Sequence, residues 1–288
     1  MTWFIDQWVK QPNHPVYQNY YSINPLGGGN WRLRFTANQT QSNSPFHKMP
    51  LTVRVSFTSG SDSTIRVMND VNNQSFAFIF TRQPTALVFD PGNDIVLKTA
   101  TTTLLPSSVP STIRFIPQGL YDSGNNWLRM KDTVRIYLRK STSPYSMVDS
   151  ATAILDSVTF GSTVTFLNTN SGVYYVEVRH RNSIETWSRS GGEGYTLGSP
   201  FSYDFTTAQT QAYGSNMVLA GTRYCIYGGD VNQDGTVDAT DAGAVDNDAA
   251  NYASGYLPTD VNGDGAVDAT DLALTDNNAA NFISKITP

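Results

Sequence analysis

The chain has 288 residues, of which 39% are hydrophobic and only 15% charged, with a net charge of −5 and one Cys. That length suits two or three domains with real cores. The composition excludes a basic nucleic-acid-binding surface and an internal disulfide, and with no apolar run of about eighteen residues it excludes a membrane-spanning helix.

In chain order, residues 2–9 predict a short helix with Phe4 and Trp8 on one face. Period-two alternation then predicts strands at 31–36, 51–57, 63–68, 74–80 and 86–89, separated by Gly, Pro and Asn-Asp breaks. The pattern is that of an antiparallel β-sandwich over residues 1–100.

Several pieces of this region stand in the order found in a known family. They are Phe4-x-x-x-Trp8, His14-Pro15-Val16-Tyr17, Gln39-Thr40-Gln41, 45–51 and Val88-Phe89-Asp90-Pro91. Together they resemble the end of the catalytic region and the small sandwich that follows it in zinc aminopeptidases of the gluzincin type. The zinc site of that family requires H-E-x-x-H on a helix. The three His here, His14, His47 and His180, stand in no such motif. No catalytic residue is expected, and the chain is read as not an enzyme.

The polar, Pro-punctuated tract 101–111 reads as a linker. A second β-sandwich is expected over 112–228, with strands at 133–139 and 173–180 and an Asn-rich turn after 163–166. Its order resembles the prealbumin-like and fibronectin-like accessory sandwiches of bacterial surface proteins. Residues 179–187 gather two Arg, a His, a Glu and a Trp. They read as a strand end with Arg–Glu pairing and Trp187 tucked over the sandwich edge, in preference to a stacking platform. Residues 201–217 predict one strand and a long wrap, and Cys225 a buried structural thiol.

The last sixty residues are organised around a segment written twice. Asp230-Val231-Asn232-Gln233-Asp234-Gly235-Thr236-Val237-Asp238-Ala239-Thr240-Asp241 recurs as Asp260-Val261-Asn262-Gly263-Asp264-Gly265-Ala266-Val267-Asp268-Ala269-Thr270-Asp271. From Gly229 onward eleven Asp accompany one Lys, a balance of −10, so the preceding residues carry about +5. An acidic pole of this kind suits divalent cations. Each copy is laid out for calcium: side chains at loop positions 1, 3 and 5, Gly at 6 for the sharp turn, a carbonyl at 7 and an acid at 12.

These duplicated loops, each followed by one helix, resemble the type I dockerin module from Gly229 to about Phe282. The resemblance implies side-chain ligands Asp230, Asn232, Asp234, Asp241 and Asp260, Asn262, Asp264, Asp271. It implies carbonyls from Thr236 and Ala266, with Asp238 and Asp268 at position 9 acting through water. It also implies two Ca2+ ions and a protein partner, a cohesin, contacted partly through Ala239-Thr240 and Ala269-Thr270. The helices depart from the family in being Asp- and Asn-rich, as in 246–251 and 276–281.

The expected fold is mainly β: two antiparallel sandwiches and a small α-helical duplicated loop–helix module at 229–288. The expected function is a non-catalytic, extracellular or cell-surface, calcium-binding accessory protein that docks to a protein partner. The alternatives are a self-assembling subunit of a surface layer or filament, and the tail of a secreted zinc aminopeptidase. No signal peptide is legible, so residue 1 is expected to open a fragment or a mature chain of an exported protein.

Overall fold

The computed structural model describes residues 2–10, 14–42 and 44–288, with side chains from residue 5 onward. It forms two compact units, Met1–Ser107 and Ser108–Pro288. The Phe4 side of the expected Phe4–Trp8 pairing lies outside the described residues.

In the first unit, helix α1 (Thr2–Trp8) precedes seven strands among the described residues. These are β1 (Val16–Gly27), β2 (Asn30–Ala37), β3 (Met49–Phe57), β4 (Ser63–Asn69), β5 (Gln74–Phe80), β6 (Pro84–Phe89) and β7 (Thr99–Leu104). They build one sheet in the order β5-β2-β1-β7 and another in the order β4-β3-β6. Alternation explains the packing. Leu33, Phe35 and Ala37 on β2, and Leu51, Val53 and Val55 on β3, are fully buried, and the intervening residues turn outward. Tyr17 completes this core; its hydroxyl receives Gln39 Nε2 at 2.7 Å and donates to Asn69 Oδ1 at 3.1 Å. Burial raises the pKa of that hydroxyl far above its ordinary value.

The linker reading of 101–111 meets a difference at both ends. Thr99–Leu104 is a strand that pairs in parallel with β1, and Ser111–Arg114 begins the next sheet. β-branched threonines favour extended pairing, and only the stretch 105–110, which holds both prolines, lies outside strands.

The second unit opens with β8 (Ser111–Arg114), β9 (Tyr121–Asp122), β10 (Trp127–Leu128), β11 (Asp132–Lys140) and β12 (Met147–Leu155). It continues with β13 (Gly161–Val164), β14 (Gly172–His180), β15 (Ser183–Trp187), β16 (Glu193–Tyr195) and β17 (Ser202–Asp204). Three short 3-10 turns between Phe205 and Ser215 lead to the hairpin β18 (Val218–Ala220) and β19 (Arg223–Cys225). One sheet runs β12-β11-β14-β15, with β16 also on β14; the other runs β13-β8-β17. Val134, Ile136 and Leu138 of β11 and Val176 and Val178 of β14 share one core with Ile113, Val164 and Phe205. Cys225 lies in that core, where burial pushes its thiol up to about 12. The tract 201–217 forms the expected strand and wrap.

Helices α2 (Ala239–Ala250) and α3 (Ala269–Ala280) follow, each after one copy of the repeated loop. Val231, Val245, Val261 and Val267 form their small core. The chain is therefore mainly β with a small helical C-terminal module. Among the described residues no helix is long and apolar enough to cross a membrane.

Candidate metal centre

Each loop is shaped by its own side chains. In the first, Asn232 Oδ1 accepts from Asp234 N at 2.8 Å, and Asp234 Oδ1 from Thr236 N at 2.9 Å. In the second, Asn262 Oδ1 accepts from Asp264 N at 2.8 Å, and Asp264 Oδ1 from Ala266 N at 3.0 Å. These Asx turns curl positions 3 to 7 of each loop into an arc. Gly235 and Gly265 make the sharp turn at φ +94° and +88°, a region that L side chains enter at a cost.

Position 12 closes each arc. Asp241 Oδ1 accepts from Val231 N at 2.9 Å and Asn232 N at 3.1 Å, and Oδ2 from Asp238 N at 3.1 Å. Asp271 repeats this with Asn262 N at 2.8 Å and Asp268 N at 3.0 Å. Positions 9 and 12 also form capping boxes that start α2 and α3, with Asp238 and Asp268 as N-caps accepting from Thr240 N and Thr270 N, each at 2.7 Å. This helix-starting role of Asp238 and Asp268 was legible as an Asp-x-x-Asp capping pattern but is absent from the ligand reading.

The two repeats brace one another. Val237 N donates to Ile283 O at 2.8 Å and Lys285 N to Gly235 O at 2.8 Å. Symmetrically, Val267 N donates to Ala253 O and Gly255 N to Gly265 O, each at 2.9 Å. Each loop thus pairs with the chain leaving the other repeat's helix.

The electrostatics call for a cation. Asp230 is 2% exposed, and its Oδ1 has no hydrogen-bond partner. Burial, then the charges of Asp241 and Asp234, push its carboxyl up to about 7. Burial likewise raises Asp241, Asp260 and Asp271 above the ordinary carboxylate range. Among the described residues no three His, Cys, Asp or Glu side chains are gathered closely enough to hold a metal by themselves. The donor set of each loop is wider than that, including an Asn oxygen and a main-chain carbonyl, as a hard oxygen-seeking cation requires. The unpartnered Asp230 oxygen of the first loop suits such an ion.

The sandwich of the same unit reaches into this module. Asn182 Nδ2 donates to Pro258 O at 3.2 Å and Asp260 O at 3.1 Å. Gln233 Nε2 donates to Ser183 O at 3.3 Å, and Asn278 Nδ2 to Gln118 Oε1 at 2.8 Å. Arg181 holds Asp132 Oδ2 at 2.9 Å and donates from Nη1 to Leu257 O, while Tyr256 donates its hydroxyl to Asp132. Gly119 allows this approach, since a Cβ there would lie 2.2 Å from Val261 O. None of these partners is adjacent in sequence, and the sequence reading missed them all.

The remaining sequence candidates take other roles. Glu177 is fully buried between Arg139 and Arg179, the latter at 2.5 Å, and Trp187 donates to Glu185 at 2.6 Å while only 5% exposed. The stretch 179–187 is thus a paired strand end. Ser183 Oγ, His180 and Asp132 form a chain of 3.0 Å hydrogen bonds. Burial lowers the His180 pKa, so the ring is neutral; it donates from Nε2 to Asp132 and accepts from Ser183 at Nδ1. All three are at most 2% exposed. His47 is buried with its ring 5.2 Å from Trp8, and His14 is exposed.

At the far end of each helix a Schellman motif places an aromatic residue where Gly is usual. Tyr252 and Phe282 have φ of 54° and 53° and are 91% and 87% exposed.

Residues 228–278 match the family model of the dockerin type I domain. No curated protein matches the chain. Solved structures that it resembles include a type II cohesin–X-dockerin complex from Acetivibrio cellulolyticus with a mutated C-terminal interface. Identity is 13% over 60% of this chain and 99% of that one, with a TM-score of 0.36. A version of that complex with a mutated N-terminal interface gives 13% identity, 61% and 99% coverage and a TM-score of 0.32. Residues 228–278 of this chain thus form a module similar to the dockerin type I domain.

Proposed function

We propose that the chain is a non-catalytic, extracellular accessory protein that binds two calcium ions and attaches to a protein partner through its C-terminal module. The observation that carries this reading is the buried, unpartnered Oδ1 of Asp230 inside a loop that occurs twice. Asp230, Asn232, Asp234, Asp241 and the Thr236 carbonyl would hold one ion. Asp260, Asn262, Asp264, Asp271 and the Ala266 carbonyl would hold the other. Bound calcium would neutralise carboxylates whose repulsion otherwise opposes folding of the module. Loops of moderate affinity fill best where calcium is millimolar, which supports an extracellular setting.

The docking part of the reading is supported by Tyr252 and Phe282, two large apolar side chains offered to solvent at equivalent places. Burial of the Ser183–His180–Asp132 chain supports a non-catalytic role, because no substrate reaches it. The test is calorimetric titration of the metal-free chain. Two calcium ions per chain are expected, with chelation loosening residues 229–288 to protease. A flat titration with unchanged proteolysis overturns the proposal.

Self-association is the second reading. It is favoured by β12, an edge strand on which Met147 and Ile154 are exposed. Sedimentation at high concentration with calcium separates the two, since a persistent monomer leaves only the docking role.

A further inference from the structure

We propose that Arg181 of the sandwich is a built-in counter-cation for the second loop, so that the two loops hold calcium unequally, the first more tightly. This rests on the calcium reading above.

The two loops are near copies in sequence and in hydrogen bonding, but their surroundings differ. Arg181 Nη2 lies 4.0 Å from Asp260 Oδ2, with the two side chains only 10% and 2% exposed. Asp132 fixes the guanidinium through Nε at 2.9 Å, Leu257 O receives Nη1, and the Tyr256 ring lies 4.7 Å from the guanidinium carbon. Met130 Sδ closes the remaining side at 3.8 Å from Nη2. The fork is thus held from several sides, so it does not swing away at small cost. The second-loop carboxylate is also fully engaged, accepting from Gly263 N at 2.9 Å and Gly265 N at 3.2 Å.

At the first loop no Arg or Lys is paired with the Asp230 carboxylate among the described residues, and the side chain at loop position 4 is a neutral amide that reaches main-chain oxygens. Gln233 Nε2 bridges Ser183 O at 3.3 Å and Asp230 O at 2.7 Å, and Asp230 Oδ1 stays unpartnered. Lys285 lays its aliphatic stem along Gly235, and its ammonium is in no ion pair among the described residues. A fixed positive charge beside one ligand carboxylate repels a divalent ion, and burial at Arg181 limits screening by salt. A neutral amide does neither. Loss of the Arg181 charge is expected to tighten the second loop about tenfold.

The experiment titrates calcium into full-length chains in which one loop is silenced at an exposed position 5. Asp234→Ala leaves the second loop to be read alone, and Asp264→Ala leaves the first. The first loop should bind about tenfold more tightly than the second. Adding Arg181→Met, which keeps the aliphatic stem, should tighten the second loop about tenfold and leave the first unchanged. Arg181→Lys, which keeps the charge, should leave the second loop within about threefold of its starting affinity. Equal affinities, or a tighter second loop with Arg181 in place, overturn the inference even if Arg181→Met fails to fold. So does a folded Arg181→Met chain whose second loop is unchanged or weaker. If neither loop binds calcium, the calcium reading itself fails; if both bind in the wrong order, only the inference fails.

Discussion

Asn182, at the turn between two strands of the sandwich, donates its side-chain amide to the main-chain carbonyl of Asp260, the residue that opens the second loop, at 3.1 Å. The same nitrogen reaches Pro258 O at 3.2 Å, and Asn182 is 1% exposed. Replacing Asn182 with Ala removes the donor from two carbonyls at a buried junction. The expected cost is about 2 kcal/mol, within the range for stranding buried polar groups. Urea denaturation should show the loss in the transition of residues 108–288 and not in that of residues 1–107.

The stability of the metal-free module should fall as pH rises. The Asp230 carboxyl titrates at about 7 when folded, against an ordinary value of 3.8. A folded value above the unfolded one means that the folded state holds the proton more tightly. The resulting stabilisation is complete below about pH 4 and is lost as pH rises through about 7. Calcium competes with that proton, so its affinity should rise over the same window. Thermal unfolding in calcium-free buffer should show the melting temperature dropping between these limits, and calcium should reverse the trend.

Glu177 should be a stability residue and nothing more. Its fully buried carboxylate sits between Arg139 and Arg179, whose side chains are 22% and 38% exposed. Glu177→Ala leaves two partly buried cations without their partner. A cost of about 3 kcal/mol is expected, at the lower end for breaking a buried pair because both Arg retain solvent. Chemical denaturation should show that loss while calcium stoichiometry stays unchanged.

Tyr252→Gly and Phe282→Gly should each stabilise the module while weakening its attachment. Both residues hold φ near +55° at the end of a helix, which glycine adopts without strain. Their side chains are almost fully exposed, so little packing is lost. A gain of up to about 1 kcal/mol per site is expected. Higher melting temperatures together with weaker partner capture would mark these side chains as kept for contact.

The loops were legible because their demands are local. Within twelve residues the sequence must supply oxygens at alternate positions and a glycine where φ is near +90°, and both copies do so. Strand alternation was legible for the same reason: Leu51, Val53 and Val55 state their burial at period two. The Arg181, Asn182 and Asp132 contacts were not legible, since their partners lie 76, 78 and 124 positions away. No local pattern encodes a pairing of that range. At Thr99–Leu104 local composition misled, because polar threonines read as linker serve equally well in an edge strand.

The pairing of β8 with β17 has a mechanical consequence. Thr112, Ile113 and Arg114 lie beside Ser202, Tyr203 and Asp204 in parallel register. In a chain held by its C-terminal module and pulled from its N-terminal side, these strands are drawn past one another along their lengths. Their hydrogen bonds then carry the load together and break together, whereas an antiparallel hairpin opens one rung at a time. The first strand of the second unit is therefore fastened in the orientation that best resists tension on a tethered chain.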